Sequence, residues 1–169
     1  MSYKISLDTE EIKALIDDLN LYKDDLINRC QPFIEKLANI GIKVVDATYG
    51  TGLGDSSKAH KCEFFIDQDG NVAKGKLIVS GEDILFVEFG AGIVFNKGNQ
   101  HPKAHDLGYG VGTYPNQTHA YSPTGWVYRD SDGTLRPSLG TEATMPVYKA
   151  SLEMIERIEE VAEEVFGSG

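Results

Sequence analysis

With 169 residues, a formal charge of −10 at pH 7 and a pI near 4.8, the chain has the size of a single domain and a clear acidic excess. A domain of this length buries roughly 70% of the surface its unfolded chain exposes, so it needs neither metal nor disulfide merely to fold. The acidic balance and the lack of any Lys/Arg cluster speak against a nucleic-acid-binding protein, whose phosphate contacts require a basic face.

The first residues, "MSYKISLDTEE", have no continuous apolar core of the signal-peptide kind, and no run reaches the length of a membrane span. The expectation is a soluble protein made in the cytoplasm. From Asp8 onward Ile12, Leu15, Ile16, Leu19, Tyr22, Leu26, Cys30, Phe33 and Leu37 recur at threes and fours, one apolar stripe on a helix. Asp8 and Glu11 form a plausible capping box, and Gly41 is the expected stop. Pro32 lacks a backbone donor and predicts a kink or split near Asn28 to Gln31.

The period then changes. "HKCEFFID" alternates Cys62, Phe64 and Ile66 against Lys61, Glu63 and Phe65, "QDGN" supplies turn chemistry, and "VAKGKLIV" follows, which predicts a hairpin. "ILFVEF" reads as a strand apolar on both faces, with Ile84 and Phe86 on one and Leu85, Val87 and Phe89 on the other. Such a strand is covered on both sides, by a helix or by a neighbouring subunit.

Residues 90–140 hold nine of the eighteen glycines and four of the six prolines. Regular structure is expected to be sparse there, and a loop of that length in a compact domain tends to be a binding or assembly element. Within it "GWVYRDSDGTLRPSL" predicts a short hairpin with Pro137 on an edge strand. From Thr144 a helical period returns through Tyr148, Leu152, Ile155, Ile158, Val161, Ala162 and Val165, with Pro146 in the first turn. The order helix, antiparallel sheet, long loop with hairpin, helix predicts an α+β fold over residues 1–169 as one domain. The acids concentrate at the ends: residues 8–40 hold eight against four bases and 142–166 seven against two, while 41–141 hold eleven against nine. Charge so placed reads as solvated helix faces rather than an acidic active site.

Candidate chemistry is thin. His101 and His105 lie four apart and His119 follows, a spacing that makes a metal site only on a helix. Pro102 with Gly108, Gly110 and Gly112 argues against a helix there. Glu88 as a general base beside a metal held by His101, His105 and His119 is the enzymatic alternative, a metal-assisted hydrolase. It lacks the H-E-x-x-H arrangement that would place base and ligands together. There is no G-x-S-x-G elbow, and "GTGLG" at Gly50 to Gly54 has no G-K-[ST] ending, so it reads as a turn. Cys30 and Cys62 show no C-x-x-C spacing and are expected to be buried, reduced thiols rather than a disulfide or metal site; strand alternation puts His60 and Cys62 on one face. Half of the sixteen aromatics fall between Phe86 and Tyr128, among them Tyr109, Tyr114, Tyr121 and Trp126. Tyr and Trp with glycine in an irregular segment suit a protein interface, or equally a small domain's own core.

Five short motifs in order, "VEFGAGIV", "HP", "GYG", "GWVYRDSDG" and "GTEATMPVYKA", resemble the gene-product-ten-like morphogenesis proteins of tailed double-stranded-DNA phages, over about Phe86 to Ala150. Ala91 stands where that family usually has a threonine, and Val147 where an aromatic commonly follows the proline. The resemblance implies a structural, non-enzymatic component of the head-tail junction, a connector or tail-completion protein. It would act as a ring of identical subunits in contact with phage neck and tail proteins, with neither cofactor nor sequence-specific nucleic acid nor membrane as partner. Its place would be the host cytoplasm during assembly and then the virion. It further implies that Val87, Glu88, Phe89, Gly90 and Gly92 form a strand-turn motif and Gly125, Trp126, Tyr128 and Gly133 a hairpin, none of them catalytic. Together with Tyr109 and Tyr114, the residues Val87, Glu88, Phe89, Gly90, Gly92, Trp126 and Tyr128 are then the interface candidates, the segment from Gly90 to Leu139 meeting neighbouring subunits. A module whose aromatic loop closes over a small ligand or peptide is a third reading.

Overall fold

The computed structural model describes residues 8–49, 60–70, 72–81, 83–94, 101–109, 119, 121–130 and 132–167. "GTGLG", Phe95 and Tyr114 lie outside these described residues. The architecture is α+β. It starts with one long helix, α1 (Thr9–Tyr49), of 41 residues and so about 60 Å in length. Asp8 starts it: its Oδ1 accepts the Glu10 amide at 3.3 Å and its carbonyl accepts the Ile12 amide at 3.1 Å. Glu10 and Glu11 sit in the first turn, where the helix dipole favours negative charge.

Of the two outcomes expected at Pro32, a kink or a split, the split does not occur; α1 differs from the expectation in that it does not stop at Gly41. A proline inside a helix deprives one carbonyl of its donor and costs about 3 kcal/mol, a cost offset here because the residues that follow pack on the rest of the chain. Gly41 is buried within the helix, and a Cβ there would sit 2.8 Å from Met154 Sδ and 3.1 Å from Leu77 Cδ2. Its lack of a side chain therefore serves a close helix approach, which outweighs the roughly 1 kcal/mol that glycine costs a helix interior.

Strands β1 (His60–Asp69) and β2 (Val72–Gly81) form the expected hairpin, in register from His60↔Gly81 to Asp69↔Val72. Phe64 and Leu77 are directly paired and both face the groove against α1, where Ile34 and Leu37 meet them. A second two-stranded sheet, β3 (Trp126–Arg129) with β4 (Leu135–Ser138), is the other predicted hairpin. Asp130 and Thr134 close its turn, the Asp130 amide donating to the Thr134 carbonyl at 2.9 Å.

The segment "ILFVEF" is a helix, α2 (Ile84–Phe89), and the expected strand is corrected accordingly. The backbone shows why: the Val87 amide donates to the Asp83 carbonyl at 3.0 Å and the Gly90 amide to the Phe86 carbonyl at 2.8 Å, the i to i−4 bonds of a helix. On a helix Ile84, Val87 and Glu88 share one side at the spacing i, i+3, i+4, and Leu85 turns outward. A six-residue apolar run has no period of its own to decide between the two.

The C-terminal helical stretch is two helices, α3 (Pro146–Glu156) and α4 (Ile158–Phe166), rather than one. They meet at Arg157, whose φ of −93° and ψ of 0° interrupt regular geometry while its guanidinium holds Glu153 at 3.0 Å and Glu160 at 2.6 Å. The pair runs antiparallel to α1. Met154 lies by Gly41, Glu164 pairs with Lys36, Phe166 packs on Phe33 at 5.6 Å, and Arg29 reaches the Val165 carbonyl at 3.4 Å. The core thus lies between the second half of α1, the β1–β2 hairpin and α3–α4. Its buried members include Ala38, Val45, Tyr49, Ala150 and Val161.

Candidate functional site

α3 begins without a capping side chain of its own. Met145, at its start, has φ 57° and ψ 49°, a left-handed conformation that costs a non-glycine residue about 1–3 kcal/mol and makes no side-chain cap. The amides that open a helix need acceptors. Glu88 supplies them from α2: its Oε2 accepts the Val147 amide at 2.8 Å and its Oε1 the Tyr148 amide at 2.9 Å. The Val87 carbonyl next to it accepts the Thr144 amide at 2.9 Å and the Met145 amide at 3.3 Å, which holds the strained turn. A carboxylate at a helix N-terminus is also favoured by the dipole.

His101 completes this junction. Its Nδ1 accepts the Lys103 amide at 3.0 Å, so the neutral ring carries its proton on Nε2 and donates it to Glu88 Oε1 at 2.9 Å. Glu88 and His101 are 6% and 5% exposed. Buried polar groups persist when their bonds are made, and the two oxygens of Glu88 accept from three donors. Rings line the other side: His101 lies 4.6 Å from Phe89 and 5.0 Å from Tyr148, and Tyr109 stacks on Phe89 at 4.4 Å. This arrangement ties α2, the His101 turn and α3 into one unit. A general base would need a carboxylate oxygen facing a substrate proton; here both oxygens face protein donors.

The glycines after Glu88 make a second junction. Ala91 bridges Thr141 in both directions, its amide donating to the Thr141 carbonyl at 2.8 Å and its carbonyl accepting the Thr141 amide at 2.9 Å. Gly92 (φ 73°) lies under the Trp126 indole, where a Cβ would be 2.8 Å from Cζ3, and Gly140 (φ 101°) lies where a Cβ would be 2.1 Å from the Ala91 carbonyl oxygen. Motifs far apart in sequence therefore meet within one small volume, Gly92 of "VEFGAG" against Trp126 of "GWVY" and Ala91 against Thr141 of "GTEATMP".

Of the candidate residues, Val87 and Glu88 are buried in the chain, Gly90 and Gly92 are buried turn residues, and Phe89, Tyr109 and Trp126 are half-buried. Tyr128 is exposed. Glu88 and His101 come together, whereas His105 and His119 lie on the surface. Among the described residues neither forms a group of three cation-ligating side chains with Glu88 and His101. The sequence reading missed Tyr148 and Val147 as partners of Glu88. It also missed Asp46, which lies beside His60 and Cys62 at the far end of α1, with His60 Nε2 2.7 Å from Asp46 Oδ1. Burial, and then the Asp46 charge, push the Cys62 thiol above its ordinary range. Both cysteines are free thiols, half-buried rather than buried as the sequence suggests.

Much apolar surface remains uncovered. Along the first half of α1, Ile12, Ile16, Leu19, Leu21 and Tyr22 are exposed, from 38% to 68%. On the β3–β4 hairpin Val127 and Leu135 are about 60% exposed, and register places them with Pro137 on one face. Among the described residues no helix is long and apolar enough to cross a membrane. In comparisons with known proteins the chain matches no family model, no curated protein and no solved structure.

Proposed function

We propose that the chain is a structural assembly protein of a tailed double-stranded-DNA phage, placed at the head-tail junction as a connector or tail-completion component. It works as a ring of identical subunits that meets neck and tail proteins, first in the host cytoplasm and then in the virion. The observation that carries this reading is the uncovered stripe on α1. A helix stripe of Ile12, Ile16, Leu19 and Tyr22 at threes and fours is the pattern of a face made to be packed, yet among the described residues the packing of the chain on α1 begins at about Arg29, which reaches the Val165 carbonyl. Exposed apolar residues in contiguity mark an interaction surface more than scattered ones do.

A ring needs two different patches on every subunit, because a closed cyclic assembly joins one surface to another. The α1 stripe and the apolar face of β3–β4 are two such patches at separate places in the chain. The order of motifs from Phe86 to Ala150 supports the same reading, since the residues carrying them are those that lock α2, the hairpin and α3 together. In this role Glu88 and the glycines hold the frame, and Tyr128, Val127 and the α1 stripe make the contacts.

Light scattering on the eluting protein over a wide concentration range tests it. A defined multi-subunit species is expected. A chain that stays monomeric at every concentration, and that also fails to bind connector or tail proteins, would rule the reading out.

A further inference from the structure

Asp46, in the last turn of α1, faces the start of β1, where His60 and Cys62 share one side of the strand at the two-residue period. One donor atom from each of the three lies within 4.8 Å of the other two. The Tyr49 ring stacks on the His60 imidazole at 4.3 Å and 27°, so the ring is held in place. Asp46 is exposed and the other two are half-buried, which leaves one side of the cluster open to water.

We propose that Asp46, His60 and Cys62 bind a transition-metal dication of the zinc class. The donor set decides the class. A thiolate and an imidazole with one carboxylate suit zinc or cobalt, while calcium and magnesium take oxygen ligands. Three protein ligands with an open position are the usual arrangement of a site that keeps a water. Zinc bonds of 2.0–2.3 Å set ligand separations in a tetrahedron at roughly 3.3–3.8 Å, which small side-chain rotations reach from the present spacing. His60 must release its bond to Asp46 to do so, because both would then point at the ion. The bound ion would clip the end of α1 to the first strand of the hairpin. This departs from the sequence expectation of no metal, which rested on the lack of a C-x-x-C spacing and of a helix or H-E-x-x-H arrangement around His101 and His105, and could not see Asp46. It is independent of the assembly role proposed above.

The alternative is an Asp46–His60 ion pair beside an idle thiol. Untagged full-length protein, stripped with EDTA, is titrated with Co2+ and its near-ultraviolet absorption followed, with Zn2+ as competitor and Mg2+ as control. The expected result is one equivalent per chain with a thiolate-to-cobalt charge-transfer band, displaced by Zn2+ and untouched by Mg2+. The band is lost in Cys62→Ser, affinity falls about tenfold or more in His60→Ala and Asp46→Asn, and His105→Ala behaves as wild type. Circular dichroism on each variant confirms that it is folded. No band with the wild-type chain, or equal binding by folded Cys62→Ser and His60→Ala, would overturn the site and leave an ion pair only.

Discussion

Replacing Glu88 by alanine removes the acceptor of both the Val147 and Tyr148 amides and strands the buried Nε2–H of His101. Loss of a helix cap costs about 1–2 kcal/mol, and a buried donor left without a partner about 1–3 kcal/mol. Together these give about 2–5 kcal/mol, a range that includes what breaking a buried charged contact costs. For a chain of this size each kcal/mol lowers the melting temperature by about 2–4 °C. Glu88→Ala should therefore melt roughly 4–20 °C lower by circular dichroism. Glu88→Gln keeps one acceptor oxygen and should lose about 1–2 kcal/mol. In a double-mutant cycle with His101→Ala, the two sites should couple by about 1 kcal/mol, because they share a hydrogen bond. A folded Glu88→Ala within about 0.5 kcal/mol of wild type, the range of unremarkable surface changes, would refute the capping role. If that same variant had lost a metal-dependent hydrolytic activity present in the wild type, Glu88 would be a base after all.

Ile16→Asp and Leu19→Asp each change a side chain that is about half exposed, so the monomer should stay within about 0.5 kcal/mol of wild type while the assembled species seen by light scattering disappears; unchanged assembly would remove α1 from the interface. Gly92→Ala forces a Cβ into the Trp126 ring at a left-handed φ and should destabilise by about 1–3 kcal/mol in thermal melts, with the near-ultraviolet signal of the only tryptophan altered. A silent Gly92→Ala would mean the indole does not lie there. In metal-free protein on a Cys30→Ser background, Cys62 should ionise above the ordinary thiol range, and Asp46→Asn should bring its midpoint down only in part, since burial is the larger cause. The sign follows: stability from the neutral thiol is present below the unfolded thiol's pKa and is lost as pH rises through the folded one. An absorbance titration with Asp46→Asn at or above wild type would contradict that charge effect.

Both hairpins were legible from local chemistry, because "QDGN" and "SDG" turn the chain between alternating runs within a few residues. The start of α1 was equally local, through Asp8 and the spacing of Ile12, Ile16 and Leu19. The single tryptophan and the glycines around it were flagged by composition, but what they touch was not. Gly41 looked like a stop because glycine often ends helices; the reason it stays inside one is Met154, more than a hundred residues away.

The amino-acid order by itself determined the α+β class, the two hairpins, the helical ends and the position of the charge, all set by interactions among residues a few places apart. Tertiary structure alone decided that "ILFVEF" is a helix, that Glu88 caps a helix 59 residues downstream with His101 as its donor, and that Asp46 meets His60 and Cys62. Periodicity reports which side of an element is apolar and is silent on what that side will face. A short run without a period, or a charged side chain whose partners lie far along the chain, takes its role only once packing has brought those partners within hydrogen-bond reach.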